Sequence, residues 1–161
     1  MTTDRDVAVA AWESLFRAQV TVMRSLAANW PSREISLNEY DVLFNLSRQS
    51  DRRIRLRDLN HHVLLTQPSV SRLIDRLVAR GYVEKETDPS DGRGAIIELT
   101  DAGHGLFRRV ALAHMGSITE RFGDILDNDE LQQLMELCDR LRDGAPVDQS
   151  GRNGDSSRAA L

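Results

Sequence analysis

The side chains best equipped for chemistry crowd into one short stretch. Gln67, Pro68, Ser69, Ser71, Arg72 and Arg76 are interleaved with Val70, Leu73, Ile74 and Leu77 at helical spacing. With those four apolar residues turned inward, a step of about 100° per residue sets Pro68, Arg72, Asp75 and Ala79 opposite the core. Ser69 and Arg76 then fall on one shoulder of the helix, Gln67 and Ser71 on the other. Small residues near the N-terminus let such a helix enter a major groove closely. Amide, hydroxyl and guanidinium groups are the donors and acceptors that meet base edges and phosphates there. The plainer alternative is a solvated face with i, i+4 charge pairing. A second group is Asp91 and Arg93, with Gly92 and Gly94 beside them. An arginine at a hairpin tip suits the strong negative potential of a narrow minor groove. The alternative is a local salt bridge, worth little when exposed.

Other chemistry finds no support. There is no glycine-rich phosphate loop, nucleophile elbow or His-Glu-x-x-His pair, so neither an enzyme nor a cofactor is expected. The single cysteine, Cys138, excludes an internal disulfide and a multi-thiolate zinc site, and fits a reducing compartment. It shares an apolar stripe with Leu134 and Leu141, where packing is the better reading than redox sensing. His61 and His62 are adjacent and point about 100° apart on a helix. His104 and His114 stand ten residues apart, and His114 belongs to a stripe with Ala111 and Ile118. No metal site is expected.

The 161 residues carry 21 Lys+Arg against 25 Asp+Glu, a net charge of -4. That excludes a histone-like binder but not a locally basic one. The charge is uneven. Residues 51–80 hold seven arginines (52, 53, 55, 57, 72, 76 and 80) against three aspartates, leaving the acid excess to the rest of the chain. A basic island in an acidic chain fits one face meeting an anionic polymer, or equally a solvated helix face. No apolar run approaches the roughly 20 residues that span a bilayer. The chain opens on polar residues, so a cytoplasmic protein with no membrane partner is expected.

The elements that must position these groups are mostly helical. Trp12, Leu15, Phe16, Met23, Leu26, Ala27 and Trp30 mark an amphipathic helix stopped by Pro31. Ser36-x-x-Glu39 is a capping box, with Ile35 and Tyr40 spaced for a hydrophobic staple and Leu43, Phe44 and Leu46 continuing the buried face. Arg53–Arg55 forms a short extended segment and Leu56–Val63 a short helix. Thr66 is the expected N-cap of the next helix, Pro68 is tolerated in its first turn, and Gly81 sits at the left-handed C-terminal position. Tyr82–Thr87 and Ala95–Leu99 read as strands joined by Asp88–Gly94, all turn chemistry. Thr100 caps a long helix bearing Phe107, Val110, Ala111, Met115, Ile118, Phe122 and Ile125. Asp127-x-x-Glu130 opens a last one with Leu131, Leu134, Leu137, Cys138 and Leu141.

The fold expected is mainly α with a small β-hairpin wing: a winged helix-turn-helix over 36–99, flanked by N-terminal (1–35) and C-terminal (100–143) dimerisation helices. A disordered tail follows over 144–161. The flanking helices carry more apolar surface than the central module can cover, so a homodimer is expected. Such a pair sets two recognition helices one duplex turn apart, matched to a pseudo-palindrome.

In order along the chain, Leu37-x-x-Tyr40-Asp41-Val42-Leu43, Leu56-x-Asp58-Leu59, Thr66–Leu77, Arg80-Gly81-Tyr82-Val83, Asp88–Gly94 and Leu99-Thr100-Asp101-Ala102-Gly103 resemble the MarR-type transcriptional regulators. The resemblance implies a dimeric winged-helix repressor that leaves a double-stranded operator when a small, often aromatic or amphipathic effector binds, and the weak hydrogen-bonding capacity of the first-helix stripe favours an apolar or aromatic one. It also implies a wing in which Asp91 orients the Arg93 guanidinium, and an effector pocket between the flanking helices and the winged domain. Trp12, Phe16, Met23 and Trp30 are candidates to line that pocket, although they equally form the core stripe of the first helix. Two departures stand out: the wing reads Asp91-Gly92-Arg93 rather than an Asp-Arg-Arg-like triplet, and Glu84-Lys85-Glu86 replaces a commonly basic strand. The opposing class is a winged module that docks a protein through its hairpin; the salt dependence of DNA binding separates the two.

Overall fold

The computed structural model describes residues 4–63 and 65–144; apart from Gly144, the expected tail lies outside the described residues. Helix α1 (Arg5–Ala28) opens where the Asp4 carboxylate accepts from the Asp6 N–H at 2.9 Å. It ends two residues before Trp30, because Pro31 disfavours helical backbone just ahead of it. Asn29 closes the helix by donating from its backbone and side chain to the Ser25 carbonyl.

The capping box forms as expected at α2 (Leu37–Ser47): Ser36 Oγ accepts from the Glu39 N–H at 3.2 Å and Glu39 Oε2 from the Ser36 N–H at 2.8 Å. Val42, Leu43 and Leu46 are fully buried, but Phe44, expected among them, is 41% exposed. One residue past Leu43 the helix has turned by about 100°, away from the core.

After β1 (Arg53–Arg55) and α3 (Leu56–His62), helix α4 (Gln67–Ala79) buries Val70, Leu73, Ile74 and Leu77. Removing those four side chains from water stabilises its seat by roughly 1.5–3 kcal/mol apiece. Gly81 adopts φ +75°, and the Gly81 and Tyr82 N–H groups donate to the Val78 and Leu77 carbonyls. This is the two-bond left-handed closure that glycine makes cheaply.

Strands β2 (Val83–Asp88) and β3 (Asp91–Leu99) form the hairpin, and β1 adds to it antiparallel in the order β1-β3-β2. The expected turn is therefore shorter, with Pro89 and Ser90 alone joining the strands. The register slips between Thr87↔Ala95 and Asp88↔Asp91, so Gly92, Arg93 and Gly94 bulge from β3 without partners on β2.

Helix α5 (Asp101–Gly123) is capped by Thr100, whose hydroxyl accepts from the Gly103 N–H at 3.0 Å and donates to the Gly81 carbonyl at 2.8 Å. Its buried line is Gly103, Leu106, Val110 and His114; Val110 and His114 fall on the expected apolar stripes, but Phe107 is only half-buried and Met115 is 59% exposed. Apolar residues occupy more than one face of α5, so periodicity alone could not say which face turns inward. At Gly103 an added Cβ would lie 2.0 Å from the Tyr82 carbonyl oxygen, which leaves room only for glycine. Helix α6 (Asn128–Asp143) has the expected capping box at Asp127 and Glu130, and buries none of its own residues. Cys138 on it is a half-exposed free thiol. The described residues divide into two compact units, one reaching to Thr119 and the other beginning at Glu120. The core of the first joins α2, α3, α4 and the sheet with Leu106 and Val110.

Candidate nucleic-acid interface

Helix α4 presents Gln67, Pro68 and Arg72 exposed, with Ser69 and Ser71 half-buried beside them. Thr66 occupies the N-cap position, but its side chain does not cap the backbone. Instead its hydroxyl donates to Ser69 Oγ at 2.9 Å, and Arg72 Nη2 donates to the same oxygen at 3.3 Å. The hydroxyls of Thr66 and Ser69 thus lead directly to the Arg72 guanidinium along the exposed face. Pro68 costs nothing here, because an N–H in the first turn has no helical acceptor.

The basic island is far less basic in space than in sequence. Arg52 pairs with Asp101 at 3.1 Å, Arg53 with Glu86 and Glu98 at 2.9 and 3.0 Å, Arg55 with Asp88 at 2.9 Å, and Arg57 with Asp58 at 3.7 Å. Arg76 reaches Glu39 at 3.3 Å and Arg80 approaches it at 4.0 Å. Among the described residues, Arg72 is the one arginine of the seven without an acidic partner within 4 Å. Arg93 on the bulge is likewise exposed and unpaired among the described residues.

Asp91 meets Arg93 through the backbone: its Oδ1 accepts from the Arg93 N–H at 3.1 Å and makes no ion pair with the guanidinium. The orienting role implied by the resemblance thus passes to the main chain, with the guanidinium left free. Behind the bulge, Asp88 is buried and fixes the turn. It accepts from the Ser90 hydroxyl and N–H at 2.7 and 2.9 Å and pairs with Arg55, which also donates to Ser90 Oγ at 3.1 Å. The Ser90 hydrogen bonds, hydroxyl first, and the Arg55 charge hold the Asp88 carboxyl below its ordinary range against the opposing effect of burial.

Arg76, expected to face DNA, stays 56% exposed while its guanidinium reaches the Glu39 carboxylate at 3.3 Å, tying α4 to α2. Burial pushes the Glu39 carboxyl upward, but the Ser36 N–H, the Arg76 guanidinium and the Ser36 hydroxyl outweigh it and hold it below its ordinary value. Sequence reasoning found Glu39 as a capping residue and missed this second role. Its partner lies 37 positions away, and no local pattern links the two. Arg55 and Asp88 were missed for the same reason.

A cleft of about 400 Å³ opens beside α2. It is lined by Met23 of α1, Tyr40, Asp41 and Phe44 of α2, His62 at the end of α3 and His114 of α5, among others. Tyr40 stacks near-parallel on Phe107 at 5.4 Å, and Trp30 closes on Tyr40 and His114 edgewise at 5.2 and 4.9 Å. Of the four pocket candidates, Met23 lines the cleft. Trp30 supports its floor, donating from Nε1 to the Ile35 carbonyl at 2.7 Å. Trp12 and Phe16 stack on each other at 5.7 Å on an exposed stretch of α1 outside it. His114 is 7% exposed, its Nδ1 has no hydrogen-bond partner, and desolvation lowers its pKa. Burial raises the Asp41 carboxyl, with His62 opposing. Among the described residues no cluster of His, Cys, Asp and Glu could hold a metal ion, and no helix is long and apolar enough to cross a membrane.

This geometry has close parallels. Residues 34–94 match the model of the MarR family. The HTH-type transcriptional regulator YkoM of Bacillus subtilis is 31% identical over 83 residues; the match spans 52% of this chain and about half, 53%, of that protein. Among solved structures, Sco3205 of Streptomyces coelicolor, a MarR family regulator in complex with DNA, is 25% identical with a TM-score of 0.72, covering 91% of this chain and 93% of that one. BpsR of Bordetella bronchiseptica, whose DNA binding is regulated by 6-hydroxynicotinic acid, shares the fold at 22% identity and a TM-score of 0.70, over 83% of this chain and 98% of that one. Residues 34–94 are thus similar to the MarR family of transcriptional regulators, and the chain shares the fold of these solved regulators.

Proposed function

We propose that this protein is a homodimeric, cytoplasmic repressor that binds a pseudo-palindromic double-stranded operator and leaves it when a small aromatic effector occupies the cleft. One observation carries the reading. Six of the seven island arginines pair internally, whereas Arg72 on the exposed face of α4 and, outside the island, Arg93 on the wing bulge have no acidic partner among the described residues. In this reading α4 lies in the major groove, with Gln67, Ser69, Ser71 and Arg72 facing the bases, and Arg93 enters a flanking minor groove. Asp91 shapes the bulge, and Arg76 acts on α4 from behind through Glu39.

The dimer follows from surface that one chain leaves bare. Within the first unit, Trp12 is 63% exposed, Phe16 52% and Leu112 73%. Apolar exposure on that scale marks an association surface, and two-fold pairing of like chains is its commonest use. The effector reading rests on the cleft: aromatic walls, a volume suited to a small molecule, and contact with α2, which also carries Glu39.

The test is selection of genomic DNA fragments retained by the protein, with light scattering at micromolar concentration. The expected result is a dimer that retains a shared pseudo-palindrome, with affinity falling steeply as salt rises. A stable monomer removes the architecture. Retention without any common sequence, or binding to a protein that ignores salt, favours the docking-module alternative.

A further inference from the structure

Resting on the reading of the cleft as an effector site, we propose that its ligand is a small aromatic cation, whose ring lies against Tyr40 and Phe44 and whose charge is met by Asp41. Arginine is the commonest charged residue of the chain, yet neither arginine nor lysine lines the cleft. Asp41 is the one acidic side chain among the lining residues. Its Oδ1 accepts from Asn45 Nδ2 at 3.3 Å, and it forms no ion pair within 4 Å among the described residues, His62 included. A half-buried carboxylate with so little compensation favours a bound positive charge.

Apart from His62, whose charge acts on Asp41 in the opposite sense, the rest of the lining agrees with that sign. Tyr40 and Phe44 stand 6.5 Å apart with their rings 26° from parallel, and Phe44 is exposed at the opening, so π-faces are available to a cation. His114, desolvated and packed edgewise on Trp30 and Tyr40, has its neutral form favoured and adds no opposing charge. An aromatic carboxylate would enter with its charge facing Asp41 and no guanidinium or ammonium group on the walls to receive it. A volume of about 400 Å³ accommodates one or two fused rings with a short polar arm.

The test uses the full-length protein and three matched probes in titration calorimetry at pH 7: 1-naphthylmethylammonium, 1-naphthalenemethanol and 1-naphthoate. The ammonium probe is expected to bind about tenfold tighter than the alcohol, the factor that one charge-assisted contact supplies, and naphthoate the weakest. Asp41→Asn, which preserves shape, should remove most of that tenfold advantage and change the alcohol little. Phe44→Ala should weaken both. The comparison among probes on the unaltered protein needs no variant to fold. Equal or tighter binding of the alcohol or of naphthoate overturns the charge assignment, as does an ammonium affinity unmoved by Asp41→Asn. If the uncharged or anionic probe binds and Phe44→Ala abolishes it, the cleft stands as an effector site and the cation fails. Binding by none of the three, or binding indifferent to Phe44→Ala, overturns both.

Discussion

Two arginines per chain should account for nearly all the salt dependence of operator binding. Each phosphate-like contact releases condensed counterions and adds about 0.9 to the slope of log K against log salt. An arginine already held by a carboxylate at 2.9–3.1 Å, as Arg52, Arg53 and Arg55 are, brings its own counter-charge and contributes little. Arg72→Ala or Arg93→Ala, present in both halves of a dimer, should each flatten the slope by about 1.8. Between 50 and 200 mM salt, that difference makes the unaltered protein lose about 12-fold more affinity than the variant. Arg53→Ala should leave the slope nearly unchanged. Fluorescence anisotropy with a labelled operator, repeated across a salt series for the four proteins, reads the slopes directly. Random DNA of equal length separates Arg72 contacts to bases from contacts to phosphate: a base contact costs about 1–3 kcal/mol on the operator alone. A slope lowered as much by Arg53→Ala as by Arg72→Ala would refute the view that internal pairing removes the island from DNA binding.

Three further outcomes follow from the same geometry. Gly103→Ala drives a Cβ to within 2.0 Å of the Tyr82 carbonyl oxygen, so it should lower stability by about 1–3 kcal/mol or more, read by urea denaturation. Glu39→Gln removes the charge that holds Arg76 while keeping an amide for the cap; a loss of about 1–3 kcal/mol in stability is expected. Glu39 and Asp88 both have folded-state pKa values below their ordinary ones. Their stabilisation is therefore complete above the ordinary carboxylate range near about 4. It should be lost as pH falls through their lower folded values, and thermal melts from pH 7 down to 3 should show the decline in the unaltered protein. Glu39→Gln should lessen it.

The order of elements was legible in the sequence because each boundary has a local cause: capping boxes at Ser36 and Asp127, Pro31 after α1, Gly81 after α4. The inward face of α4 was legible too, since its four apolar residues admit one orientation. Legibility failed where several answers satisfy the local pattern. Helix α5 has apolar residues on more than one face, and only packing against α2 and the sheet selects Gly103, Leu106, Val110 and His114. Phe44 joins the apolar run of α2 but turns outward to the cleft. The bulge that carries Arg93 depends on cross-strand register, which a run of Asp, Gly, Pro and Ser does not reveal. Least visible was the fate of the island. Arg52, Arg53, Arg55 and Arg76 find partners 33 to 49 positions away, so a composition window counts the cations and misses the acids that neutralise them.

That pairing bears on how an effector in the cleft would reach DNA. Helix α2 turns Tyr40, Asp41 and Phe44 to the cleft, while Glu39, one position earlier, holds Arg76 on α4. A ligand shifts the operator equilibrium only by its differential affinity for the two arrangements of the protein. Couplings of that kind run to about 1–3 kcal/mol, the range of one hydrogen bond to a charged group. Displacement of α2 against α4 would act directly on the Glu39–Arg76 hydrogen bond, 3.3 Å long in this arrangement. The same contact sets α4, which carries Arg72, relative to α2. A regulator that left Arg76 free would gain a phosphate contact and lose the carboxylate anchor between its recognition helix and its cleft.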